Sequence, residues 1–179
     1  MINVLYIAVG EGGSDQALIT LIKELKSKIR PYVTLGKLAS QSTINKLKSE
    51  NIPYSILNYD FFWYPSKKNL WNYITRPIYA FKLKNKKKFF TKQIIELSKQ
   101  YKIDIIHTNS SAYQFGATAA QSLKIPHIWH LREYQSLDFG HSHAYSLPYL
   151  KKQLHKSGNF NIAITKGCLL YTSDAADER

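Results

Sequence analysis

The chain has 179 residues, 44% of them hydrophobic, which is enough for one domain with a real core. A formal charge of +13 points to an anionic partner, be it nucleotide, nucleic acid or membrane surface, although abundant Lys, Asn, Ile and Tyr would also follow from a low-GC genome. Cys168 is the single cysteine, which excludes an intramolecular disulfide and fits a reducing compartment.

The first apolar run, residues 2–9, is too short to cross a membrane and ends in Gly-Glu. It lacks the basic start and small-residue cleavage site of a signal peptide. It is therefore predicted to be a buried strand, continuously apolar rather than alternating, and the protein cytoplasmic. A helix is expected to open near Ser14, a good N-cap residue, with Asp15 in its first turn and an apolar stripe of Ala17, Leu18, Leu21, Ile22 and Leu25. A strand over 31–35, a short helix over 41–50 and a strand over 53–57 follow.

Residues 59–90 are less regular and rich in aromatics, with helices expected over 69–85 and 88–101. "DIIHT" (104–108) reads as a strand, and "AYQFGATAAQSL" (112–123) as a helix whose small residues allow close packing on a sheet. "HIWHL" (127–131) reads as a strand, 146–156 as a helix and "FNIAIT" (160–165) as a last strand. Strands alternating with helices predict an α/β fold with a Rossmann-like, doubly wound parallel sheet. In such a sheet ligands sit beyond the carboxyl ends of the strands, near the switch in strand order. Residues 10–14, 108–111 and 130–133 fall there and should converge in space.

The glycine turn "GEGGSDQ" invites comparison with the dinucleotide fingerprint. Position 15, where the third fingerprint glycine belongs, is Asp15, and the strand over 31–35 ends in Gly36-Lys37 without the ribose-binding acid. Two physical requirements therefore fail. What is left is either a tight turn needing positive φ or backbone N–H groups at a helix N-terminus facing a phosphate or sugar.

"GEGGSDQALITLIKEL", "DIIHTNSSAYQFGATAAQSLKIPHIWHLREY" and "FNIAITK" together resemble the N-terminal domain of family-four glycosyltransferases with the GT-B fold. The resemblance covers residues 1–166 and is most specific in its middle segment. It implies one of two Rossmann-like domains facing across a cleft, this one on the acceptor side. It implies retaining transfer of a sugar from a nucleotide-sugar donor to a glycan or lipid-linked acceptor, in cell-surface polysaccharide synthesis, with no cofactor and no metal. By the same resemblance His130 is the catalytic histidine near the transferred sugar. Gly12, Gly13 and Ser14 approach donor or acceptor, Thr108, Asn109 and Ser110 border the acceptor pocket, and Arg132 and Glu133 line the cleft. Asp15 departs from the glutamate of many relatives and has a shorter reach. The chemistry suits these residues. A diphosphate leaves from an oxocarbenium-like state, and backbone amides with a guanidinium stabilise that charge.

Blander roles stand beside these. His130 alone would be a hydrogen-bonded structural histidine, and Arg132 and Glu133 would pair with each other. Residues 108–111 would cap the next helix, and His107 would pack at its strand end. His141 and His143 look like a metal fragment without supporting ligand spacing, so they read as loop, as does Asp138. Residues 61–100 carry ten Lys or Arg among interleaved aromatics. They are either a solvated basic face or a dock on the anionic inner membrane surface; nucleic acid is not expected. The competing classes are a nucleotide- or NAD-binding oxidoreductase or epimerase domain, and a basic membrane- or nucleic-acid-binding module.

"CLLYTSDAADE" (168–178) breaks the pattern. It matches the translation of a transposon-type sequencing-library adapter, the alternative being a genuine polar extension. The expectation is an N-terminal domain over 1–167, a non-native tail over 168–179, and an absent donor-binding domain, leaving the chain alone inactive.

Overall fold

The structure, a computed structural model, describes residues 1–60, 62–64, 74–132, 142–143 and 147–168. In chain order its elements are β1 (Ile2–Ala8), α1 (Gly13–Leu25), β2 (Ile29–Leu35), α2 (Gln41–Ser49), β3 (Tyr54–Ile56) and β4 (Trp63–Tyr64). They continue with α3 (Arg76–Gln100), β5 (Ile105–Thr108), α4 (Phe115–Leu123), β6 (His127–Leu131), β7 (Ser142–His143), α5 (Leu147–Leu154) and β8 (Asn159–Ala163).

Six strands form one parallel sheet in the order β3-β2-β1-β5-β6-β8. The chain winds outward from β1 through β2 to β3, then returns to β5 on the other side of β1. This is the Rossmann-like α/β arrangement that the alternation of elements predicts, with its switch point between β1 and β5. Both faces of β1 are covered, which is why the strand is continuously apolar. Leu5 and Ile7 pack with Phe90, Ile94, Phe115 and Ala119 under α3 and α4. Val4, Tyr6 and Ala8 pack with Leu18, Ile22 and Leu47 under α1 and α2. Burying each such Leu or Ile side chain contributes roughly 1.5–3 kcal/mol. A smaller cluster joins Trp129, Leu131, Leu150, Leu154 and Cys168.

Gly116 lets α4 approach the sheet: a Cβ there would lie 2.7 Å from Ile7 Cδ1 and would also collide with Thr108 Oγ1. Lys124 takes a left-handed conformation, φ 56°, and closes α4.

Several local expectations are corrected. α1 opens at Gly13 with Gly12 as its N-cap residue, so Ser14 is not the cap. Its buried stripe is Asp15, Leu18, Ile19 and Ile22; Ala17 faces solvent. The two helices expected over 69–85 and 88–101 are one helix from 76 to 100, since "KNKKKFF" holds no Gly or Pro to break it, and 69–73 lie outside the described residues. α4 starts at Phe115 with Gln114 at its N-cap, so residues 108–111 do not cap it. β4 and β7 pair antiparallel, Trp63 with His143, where the sequence suggested irregular chain and loop. Asp138, His141 and residues 169–179 lie outside the described residues.

Candidate functional site

The ends of β1, β5 and β6 meet at the switch point, and the glycine turn after β1 is their neighbour. Gly10 and Gly12 sit at φ 93° and 87°, a region that L side chains avoid. Gly12 and Gly13 are exposed, and a Cβ on either would meet nothing within 4 Å. Their backbone is thus open to a ligand at the N-terminus of α1.

Asp15 looks inward. Its carboxylate accepts the Gly10 N–H at 3.0 Å and also the Glu11 N–H, so it clasps the turn from inside. The other carboxylate oxygen accepts from Asn109 Nδ2 at 3.4 Å, and the same amide lies 3.3 Å from the Ser14 carbonyl. Asn109 stands just past β5, held to β1 by its N–H to the Ile7 carbonyl at 2.9 Å. Its side-chain oxygen accepts from Arg132 Nε at 2.7 Å. Arg132 Nη2 lies 3.4 Å from His130 Nδ1, and His107 Nε2 lies 3.3 Å from that same nitrogen.

One chain of polar contacts therefore runs from the glycine turn through Asp15, Asn109, Arg132 and His130 to His107. It spans the ends of three strands that are far apart in sequence. Because a guanidinium only donates, His130 Nδ1 must accept. Neutral His130 then carries its proton on Nε2, and His107 donates from its own Nε2.

Burial sets the charges. It raises Asp15 to about 6, against the opposing pull of the Glu11 N–H, Asn109, the Gly10 N–H and the Arg132 charge. It lowers His130 to about 4, with Arg132 adding to the effect. It lowers His107 to about 3, helped by His130 and Arg132. At neutral pH both histidines are uncharged hydrogen-bonding groups, and Arg132 is the cation of the site.

Of the residues singled out from the sequence, Gly12, Gly13, Ser14, Asn109, His130 and Arg132 come together here. Thr108 faces the other way: fully buried, it pairs with His127 Nε2 at 2.8 Å beneath α4. Ser110 is buried, and its hydroxyl accepts the Ala112 N–H at 3.0 Å. Glu133 lies outside the described residues. Sequence reasoning missed Asp15 and His107 as members of the network. The signal for Asp15 was its place on the apolar stripe of α1; nothing comparable marked His107. Among the described residues no three His, Cys, Asp or Glu side chains group as metal ligands.

No family model matches the chain, and no curated protein does. Solved structures do. Anabaena Alr3699/HepE, in complex with UDP and glucose, superposes with a TM-score of 0.64 at 18% identity, over 96% of this chain and 40% of that one. Acinetobacter baumannii MurG gives 0.53 at 16%, over 91% and 45%. The spinosyn rhamnosyltransferase SpnG, complexed with thymidine diphosphate, gives 0.56 at 9%, over 90% and 45%. The fold is thus the Rossmann-like α/β domain of GT-B neighbours. The chain spans less than half the length of each of these structures.

Proposed function

We propose that the chain is the acceptor-side, N-terminal domain of a glycosyltransferase that uses a nucleotide-sugar donor. The observation that carries this reading is the site itself. An exposed Gly12-Gly13 turn at a helix N-terminus stands beside Arg132 and a neutral His130, all at the switch point of the sheet. The fold likeness supports it, since HepE was solved with UDP and glucose and SpnG with thymidine diphosphate.

In this reading the donor is held by a second domain, and the two walls close on the reacting atoms. The amides of Gly12 and Gly13 and the Arg132 guanidinium face the leaving diphosphate, where preorganised donors stabilise developing charge. His130 offers its Nε2–H to the transferred sugar or its acceptor. Asn109 and Asp15 are positioning residues: one aims Arg132, the other holds the glycine turn. Transfer is retaining and needs no metal, and the acceptor is a glycan or lipid-linked sugar of a cytoplasm-facing polysaccharide pathway. Residues 168–179 are an adapter-derived tail. Cys168, the first residue of that tail, is nonetheless buried beside Trp129 and Leu131.

The test is to recover the coding DNA continuous with codon 167 and assay its product with a panel of nucleotide sugars. A second α/β domain with paired glutamates is expected, together with sugar transfer that falls by at least about 10²-fold in His130→Ala. The 179-residue chain alone should release no nucleotide. Turnover by that chain, or a downstream sequence with no second domain, would overturn the shared-cleft reading.

A further inference from the structure

Helix α3 buries Leu83, Phe90 and Ile94 against the sheet. On its opposite side it leaves large apolar side chains in water: Phe81 is 67% exposed, Ile78 59% and Phe89 58%, and Ile74, just before the helix, 58%. Ile78, Phe81 and Phe89 are spaced three and eleven residues along the helix, which puts them on one face, since eleven residues are about three turns. Lys82, Lys88 and Lys92 are exposed along the same stripe. Residues 76–95 contain no acidic residue, and Glu96 pairs with Lys92 at 3.9 Å.

Folding alone has no use for this face. Each exposed Phe forgoes the burial that Phe62 and Phe90 gain in the core. Solubility would be served by Lys and Glu together, not by Phe among lysines. The structure also sorts the aromatics of this region. Phe62 and Phe90 are buried in the core, while Phe81 and Phe89 are not.

We infer that this stripe is an interfacial anchor that lays α3 on an anionic lipid bilayer. An apolar ridge flanked by cations fits a lipid interface, where the ridge enters the acyl boundary and the ammonium groups stay among the headgroups. Nucleic acid fits less well: it needs cations at the centre of the contact, and Ile74 and Ile78 offer no ring to stack on a base. A second copy fits less well too, because a two-fold contact on this face would set one set of lysines against another.

The placement has a consequence. α3 runs back along the sheet into β5, so its N-terminal half lies toward the strand ends that carry the glycine turn and His130. Docking brings that end of the sheet to the bilayer. That a lipid-linked acceptor would meet the cleft there rests on the proposed function; the docking itself does not.

Co-sedimentation of the 179-residue chain tests the inference. Vesicles of phosphatidylglycerol mixed with phosphatidylcholine should bind it, and phosphatidylcholine alone should not. Phe81→Ser with Phe89→Ser should weaken binding at least about tenfold, and Lys88→Glu about fivefold or more. Circular dichroism should be unchanged in both variants, since these side chains lie outside the core. Equal recovery with neutral vesicles would overturn the inference. So would unchanged binding by the double serine variant, duplex RNA that binds in its place with the same dependence on Phe81, or a dimer that disappears with the serines. None of these outcomes depends on sugar transfer, so the docking and the enzymatic reading fail separately.

Discussion

Asp15 shows how one residue can be misread at the level of sequence and still explain the motif it interrupts. It stands where a dinucleotide fingerprint needs glycine, and that much the sequence makes plain. Its actual task depends on backbone geometry. The positive φ at Gly10 and Gly12 turns the loop N–H groups over the start of α1, within reach of a short carboxylate. A longer Glu would have to fold back in a space that holds Asp15 at 1% exposure. Removing the carboxylate strands the buried Gly10 N–H and takes one acceptor from the Glu11 N–H and from the Asn109 amide, which keeps the Ser14 carbonyl. Leaving buried donors unpaired costs about 1–3 kcal/mol. Asp15→Ala should therefore lose roughly 2–3 kcal/mol in urea unfolding, and Asp15→Asn somewhat less, because one amide oxygen can still accept. An unchanged unfolding midpoint in the alanine variant would show that the turn stands without its clasp.

At the level of elements, the strands of the main sheet were legible within a residue or two, because buried parallel strands are short apolar runs bounded by polar turns. Helix ends were less so. α4 starts three residues later than its pattern suggests, since the small residues that favour close packing say nothing about where the first turn closes. The β4–β7 pair has two residues a side, too short for any periodicity. Tyr59, in the loop before β4, illustrates what pattern reading leaves out. Its hydroxyl lies 2.6 Å from both the Ala8 and Thr34 carbonyls and accepts the Ala8 N–H at 3.2 Å. It thereby ties the ends of β1 and β2 next to the glycine turn. Its ring packs against Tyr113 and Phe115 at 5.2 and 5.1 Å. Tyr59→Phe keeps the ring and removes the tie, so a loss of about 1–2 kcal/mol is expected in thermal unfolding. Tyr59→Ala, which also opens a cavity, should lose about 3–5 kcal/mol. Equal losses in the two variants would assign the whole effect to the hydroxyl, and an unchanged Tyr59→Phe would assign it to packing.

On the scale of the whole molecule, the histidines give the fold a pH dependence that no strand pattern announces. "DIIHT" and "HIWHL" read as apolar strands, and their histidines end up buried: His107, His127 and His130 are 3%, 1% and 8% exposed. Burial lowers His107 and His127 to about 3 and His130 to about 4. The unfolded chain titrates these groups near 6.5. Between about pH 4 and 6 the unfolded state therefore binds three protons that the folded state refuses, and acid favours unfolding. Asp15 acts with the opposite sign. Raised to about 6 from 3.8, it holds a proton in the folded state that the unfolded chain has released, which offsets one of the three. The net difference is two protons, so stability should fall by roughly 2–3 kcal/mol per pH unit as pH drops from about 6 to 4. Above about pH 7 both states carry the same protons on these groups and the slope should vanish. His107→Gln removes one of the two net protons and should roughly halve the slope, whatever it does to stability at neutral pH. Urea unfolding midpoints across this range measure it directly. A flat profile would mean that water reaches the three imidazoles, and that the network joining the glycine turn to His107 is looser than its contacts describe.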